Sequence, residues 1–169
     1  MAGRGAAASL SQMPPDEHDR LRALEDNYWW YGVLHWLVLQ ELKLVPRGSA
    51  LLDVGCGTGA LLSRMQHMAA QGIDVSAHAV DHCRRRGLRE VQVASAHDLP
   101  FDDESFDVIT CLDVLYHERV DEDRALKEML RVLRPGGTLV VNVPAFACLR
   151  GGHDDSVCGA RRYTASHVR

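Results

Sequence analysis

Leu51-Leu52-Asp53-Val54-Gly55-Cys56-Gly57-Thr58-Gly59 is an apolar run that ends in an acid and then breaks into glycine at every second position, with Ala60-Leu61-Leu62 opening a helical pattern behind it. That order predicts a strand, a tight turn and a helix start, the outline of a nucleotide-type cofactor site. Gly55, Gly57 and Gly59 admit positive φ and let a ligand lie against main chain, where any Cβ would collide. Asp53 selects the ligand. A carboxylate just before the first glycine repels a pyrophosphate and favours a cation, and a sulfonium bearing an amino-acid tail suits that field.

Outward from this stretch the pattern alternates between short apolar runs and helical periodicity. It predicts strands at 51–54, 73–75, 91–94, 106–112 and 138–143, and helices at 60–70, 77–86 and 122–133. Such alternation gives an α/β fold, a doubly wound, mainly parallel sheet with helices on both faces. Asp53, Asp74, Asp98 and Asp113 fall at or just beyond predicted strand ends, where ligands of such sheets bind near the switch point in strand order. Before the first strand, residues 28–45 hold Trp30, Leu34, Leu37, Val38 and Leu42 at helical spacing, with Trp29, Val33 and Trp36 widening the stripe. This predicts a buried or capping helix. His35, Gln40, Glu41 and Lys43 interrupt it, and it is too short to span a membrane.

The chain of 169 residues, 46% hydrophobic and 25% charged, is long enough to form one globular domain with its own core. Its net charge of −4 argues against a nucleic-acid surface, which needs a basic footprint. Arg84-Arg85-Arg86 reads as a solvated helix end. Five cysteines without a Cys-x-x-Cys pair suggest neither a disulfide framework nor a zinc ribbon, so a reducing cytoplasm is expected. His78, His82 and Cys83 have ligand spacing but lack further partners, and no metal is expected. Residues 1–20 are Ala-, Gly- and Ser-rich at the start, lack the apolar core of a secretion signal and read as a disordered tail before a domain at 21–169.

The motifs together resemble the class I S-adenosylmethionine-dependent methyltransferases, of small-molecule type. Asp53, Gly55, Gly57 and Gly59 match that family's first motif without a gap. Gly72-Ile-Asp-Val-Ser76, Ala96-His-Asp-Leu-Pro-Phe101, Phe106-Asp-Val-Ile-Thr-Cys-Leu-Asp113 and Val132-Leu-Arg-Pro-Gly-Gly137 follow in the family's order. The resemblance implies a Rossmann-like sheet and S-adenosyl-L-methionine as cofactor. It implies that Asp74 holds the ribose hydroxyls with Val75 beside it, that Asp98 accepts from the adenine amine between His97 and Leu99, and that Cys56 and Leu112 line the site. Cys56 is expected to be a small buried side chain there rather than a nucleophile.

The implied reaction is an in-line displacement on the activated methyl group, in which the protein positions and desolvates. A base is needed only when the acceptor must lose a proton. His117, in Asp113-Val-Leu-Tyr-His117 after the fourth strand, is the best-placed candidate; the alternative is a surface histidine before a helix cap at Asp121, with Tyr116 as pocket wall. His153-Asp-Asp155 and Arg161-Arg-Tyr-Thr164 resemble a segment bordering the acceptor site in one branch of the family, although Gly159 and Ala160 stand where a histidine is expected. The chain stops at Arg169, short of the last two of the family's usual seven strands. From this follows an exposed edge at 138–143 that invites a homo-oligomer; the default methyl acceptor is a small or lipid-linked molecule, with no nucleic acid as partner. The alternatives are a truncated, non-catalytic cofactor-binding or interaction protein and a dinucleotide oxidoreductase.

Overall fold

The structure, a computed structural model, describes residues 22, 23, 25, 28–151 and 159–167. The expected tail at 1–20 and the cluster His153-Asp154-Asp155 lie outside the described residues. Helix α1 (Trp29–Glu41) leads into strand β1 (Ala50–Val54), β2 (Ala69–Asp74), α2 (Ala77–Arg85), β3 (Val91–Val93), β4 (Phe106–Leu112), α3 (Glu122–Val132) and β5 (Leu133–Asn142). Five strands form one parallel sheet in the order β3-β2-β1-β4-β5. The order reverses between β1 and β4, so the crevice beyond their carboxyl ends is the switch point.

Each face of the sheet carries its own core, as expected for strands buried on both sides. Leu34, Val38 and Leu42 from α1 and its following turn join Val80 and Cys83 of α2 over Leu51 and Val108. On the other face Ala125, Met129 and Val132 of α3 cover Leu52, Val54, Ile109 and Cys111. Spacing of four and three residues puts those α3 side chains on one stripe. Asp121 caps α3 by accepting from the Arg124 N–H at 3.1 Å, and Glu122 and Asp123 in the first turn suit the helix dipole. Arg131 then ties α3 to the loop below it, donating to the carbonyls of Phe101 at 2.9 Å and Leu99 at 3.0 Å. Its hydrogen bond holds the Glu128 carboxyl down at about 2.

Three expectations are corrected. The helix expected at 60–70 is a single 3-10 turn, Leu62–Arg64, and β2 starts at Ala69 rather than 73. The register explains it: Ala50 pairs with Ala69 and Val54 with Ile73, so the chain must cross back along all of β1 before Ala69. Residues 69–72, expected to end the helix and precede the strand, are thereby taken into the sheet. β5 includes the Pro135-Gly136-Gly137 stretch, because Phe106 pairs with Leu133 and Val108 with Thr138, leaving the turn as a bulge between two ladder segments. In α1 the buried stripe is narrower than its apolar content: Trp29, Trp36 and Leu37 stay 66%, 57% and 48% exposed. Among the described residues no helix is long and apolar enough to cross a membrane.

Met129, fully buried on the α3 face, makes the packing testable. Met129→Ala should lower unfolding stability by about 3 kcal/mol, read from a denaturant melt, since truncation leaves a cavity the sheet cannot fill.

Candidate active site

The glycine turn leaves β1 and folds over β2. The N–H groups of Gly55 and Cys56 both donate to the Ile73 carbonyl at 2.9 Å, and Gly57 N–H donates to Asp74 Oδ2 at 3.0 Å. Asp74 Oδ1 accepts from Ser76 N–H at 2.8 Å. The carboxylate thus bridges the first turn and the start of α2, while burial pushes its pKa up. Each of its oxygens keeps acceptor capacity beyond the one backbone bond. Val75 follows, 44% exposed.

Gly55 has φ 78°, and a Cβ there would lie 2.2 Å from Val114 Cγ2. No other residue fits under that side chain. Val114 itself follows Asp113, a non-glycine residue at φ 57°. Asn142 at the end of β5 holds it there: Asn142 Nδ2 donates to Asp113 Oδ1 at 2.7 Å, and Asp113 N–H donates to the Asn142 carbonyl at 3.0 Å. A left-handed residue costs roughly 1–2 kcal/mol, and such strain gathers at functional sites. The Asp113 field also reaches Tyr31 of α1, whose pKa rises to about 12, mainly through burial and next through Asp113 and Glu25. Helix α1 therefore borders the β4 end of the crevice.

Asp53 is placed differently from the open acceptor that its sequence position suggests. It lies inside the sheet between Gly72 and Thr110, only 3% exposed, and accepts the Thr110 hydroxyl at 2.7 Å. Burial drives its pKa up to about 7 against that bond. Cys56 is buried beneath the turn as expected, its Sγ 3.9 Å from the Sγ of Cys83, and Cys83 in turn donates to the Gly57 carbonyl at 3.3 Å.

The remaining sequence candidates divide. Asp98 is exposed and Leu112 half-buried at the rim. His97 Nε2 accepts from Asp121 N–H at 2.9 Å, and Leu99 is core, its N–H donating to Glu128 Oε2 at 2.9 Å, so both serve α3. His117 is half-buried with its ring stacked on Tyr116 at 4.5 Å, and its backbone bridges Gly159. The segment after 158 pairs with the chain just past β5, where Tyr163 bridges Ala145 in parallel and its N–H donates to the Pro144 carbonyl at 2.9 Å. It folds over the loop after β4, where Arg161 donates to Glu122 Oε2 at 2.7 Å and to the Val120 carbonyl at 2.7 Å, and the buried Tyr163 hydroxyl donates to Glu122 Oε1 at 2.6 Å. Missed from sequence altogether were Glu25, Thr58 and Arg86, which join behind the glycine turn; their partnership spans tens of residues and leaves no local signal. His35 nearby is buried with Nδ1 unpaired, and burial, then Arg64 and Arg86, pull its pKa down to about 4.

The geometry, a glycine turn braced by Asp74 at the switch point, agrees with the comparison by family: one described as "Methyltransferase domain" matches residues 52–141. The chain belongs to that family, in its class I S-adenosylmethionine-dependent form. It is similar to "Probable tRNA methyltransferase 9B" of Mus musculus, 42% identical over 111 residues, which cover 64% of this chain and 25% of that protein. It is also similar to "tRNA (carboxymethyluridine(34)-5-O)-methyltransferase alkbh8" of Xenopus tropicalis, 38% identical over 107 residues, 62% of this chain and 17% of that one. The chain thus matches about a quarter or less of the length of these relatives. Among solved structures, the Haloferax volcanii "Complex between the Haloferax volcanii Trm112 methyltransferase activator and the putative methyltransferase" superposes with TM-score 0.76 at 23% identity, over 94% of this chain and 74% of that one, a likeness of fold. These matches correct the partner expectation. An acceptor limited to small or lipid-linked molecules, with nucleic acid excluded by net charge, does not stand beside relatives named for tRNA. A total charge of −4 says nothing about where individual arginines lie.

Two measurements follow from the site. Gly55→Ala should fail to yield a soluble, cooperatively melting protein, or should melt far below the parent, because the added carbon meets Val114 at a left-handed residue. For Asp53, the folded pKa near 7 lies above the ordinary 3.8. Between these values the unfolded carboxyl is ionised while the folded one keeps its proton, so its contribution to stability is lost as pH rises through that window and levels off above it. Asp53→Asn keeps an acceptor for Thr110 without titrating. Its stability relative to the parent should therefore rise from about pH 5 to about pH 8, by on the order of 2 kcal/mol; a difference independent of pH contradicts the buried, protonated Asp53.

Proposed function

We propose that this chain methylates a nucleoside of tRNA, using S-adenosylmethionine. The observation that carries the reading is the 42% identity to a probable tRNA methyltransferase over 111 residues. The residues present fit the cofactor: Asp74 has acceptor capacity left for a vicinal diol, Asp98 stands exposed for an amine donor, and the turn at Gly55–Gly59 offers close main-chain approach. When bound, S-adenosylmethionine supplies a methyl group on a sulfonium, given up as the thioether leaves. The chain's own residues then bind and orient. The Asp113-Asn142 pair fixes the turn on which Val114, Tyr116 and His117 are mounted, and the Arg161-Glu122-Tyr163 cluster fastens a second segment over it.

The exposed aromatic rings of Tyr28, Trp29, Trp30 and Trp36 support an RNA acceptor, since unpaired bases stack on such rings. The relative from Xenopus tropicalis is named for methylation at an oxygen of carboxymethyluridine. A carboxylate acceptor is already ionised at neutral pH, so no base is required and His117 serves to shape the acceptor wall. His117 takes the base role only for a neutral acceptor.

The test is transfer of a labelled methyl group from S-adenosylmethionine to total tRNA stripped of carboxyl esters by mild alkali. Base-labile label in tRNA is expected, and His117→Gln should keep kcat within about threefold, against losses of roughly 10²- to 10⁴-fold for a true general base. Absence of label in tRNA with the cofactor bound contradicts the acceptor assignment.

A further inference from the structure

Arg84-Arg85-Arg86 reads as a solvated helix end, and Arg84 conforms, pairing with Asp81 at 3.3 Å on the surface. Arg86 does not. Its side chain is only 13% exposed and turns back from the end of α2 into the glycine turn. Its Nε donates to the Thr58 carbonyl at 2.8 Å and its Nη2 to the Thr58 hydroxyl at 3.3 Å. The same Nη2 lies 3.7 Å from Oε2 of Glu25, which also accepts the Thr58 hydroxyl proton.

Thr58 is 0% exposed and stands between Gly57 and Gly59, with φ of 53° and 82°. Glycines at positive φ leave such a turn costly to hold in one conformation. Asp74 holds the Gly57 N–H and Cys83 the Gly57 carbonyl, both one residue short of Thr58. The guanidinium supplies what they do not: a planar fork that serves carbonyl and hydroxyl of the next residue together. Without it the Thr58 carbonyl is buried without that donor and Glu25 loses its ion pair with Arg86.

We propose that Arg86 is a positioning residue for S-adenosylmethionine binding, acting through Thr58, and that Glu25 braces the same turn by accepting the Thr58 hydroxyl proton. Arg86 sets the conformation in which the turn's main chain meets the ligand. The inference rests on the cofactor reading above and adds Arg86 and Glu25 to it.

The experiment compares Arg86→Lys, Glu25→Gln and Met129→Ala with the parent. Lys keeps the charge and loses the fork; Met129 lies on the opposite face of the sheet and supplies a stability-matched control. Calorimetric titration with S-adenosylhomocysteine, well below every melting temperature, should show Kd raised about tenfold in Arg86→Lys and severalfold in Glu25→Gln, and unchanged in Met129→Ala. Should Arg86→Lys not fold, Glu25→Gln carries the comparison alone. Parental affinity in the variant read, or equal weakening in Met129→Ala, overturns the positioning role alone. A parent that binds no ligand overturns it together with the cofactor reading.

Discussion

At Gly55 the backbone turns at φ 78° directly under the side chain of Val114, leaving no room for a Cβ between the two carboxyl-end turns of the sheet. Much of the site follows from that approach. It brings the turn after β1 against the turn after β4, which meet because the strand order reverses between those two strands. The second turn is itself strained, with Asp113 at φ 57° secured by Asn142 from β5. So the neighbours on one side, Asp74 and Ser76, and those on the other, Asn142 and the loop to α3, are fixed relative to one another by a contact that glycine alone permits.

Electrostatics divides the acids of the site by depth. Asp53 is sealed within the sheet, bonded to Thr110 and pushed to a pKa of about 7, so it acts on a ligand only through the field of the turn above it. Asp74 is half-buried and holds two backbone donors, an arrangement that orients a carboxylate while leaving lone pairs available. Arginines do the complementary work, by bracing carbonyls: Arg131 holds the 99–101 loop, Arg161 the loop after β4, and Arg86 the glycine turn. A chain with net charge −4 thus commits several of its cations to main-chain oxygens.

The strands were legible because their apolar runs are short and punctuated. Phe106–Leu112 has the bounds its sequence suggests, and α3 announces itself by a cap at Asp121 and a buried stripe. The strand-end positions of Asp74 and Asp113 were legible too, since one ends β2 and the other follows β4. The crossover after Gly59 was not, because helical periodicity cannot report that β2 begins at Ala69 and takes residues 69–72 into the sheet. Nor could the depth of Asp53 be read, which depends on Thr110 in a strand 57 residues away. Arg86 was hidden by its company: a run of three arginines looks solvated, and only the fold shows that one of them faces inward.

The central claim is that the braced glycine turn is built for a sulfonium nucleoside and not for a pyrophosphate. Calorimetric titration of the purified chain with S-adenosylmethionine, S-adenosylhomocysteine and NAD tests it most directly. The account predicts saturable one-to-one binding of the first two, competitive with each other, and no binding of NAD. Tight NAD binding, or indifference to both sulfur ligands, contradicts it.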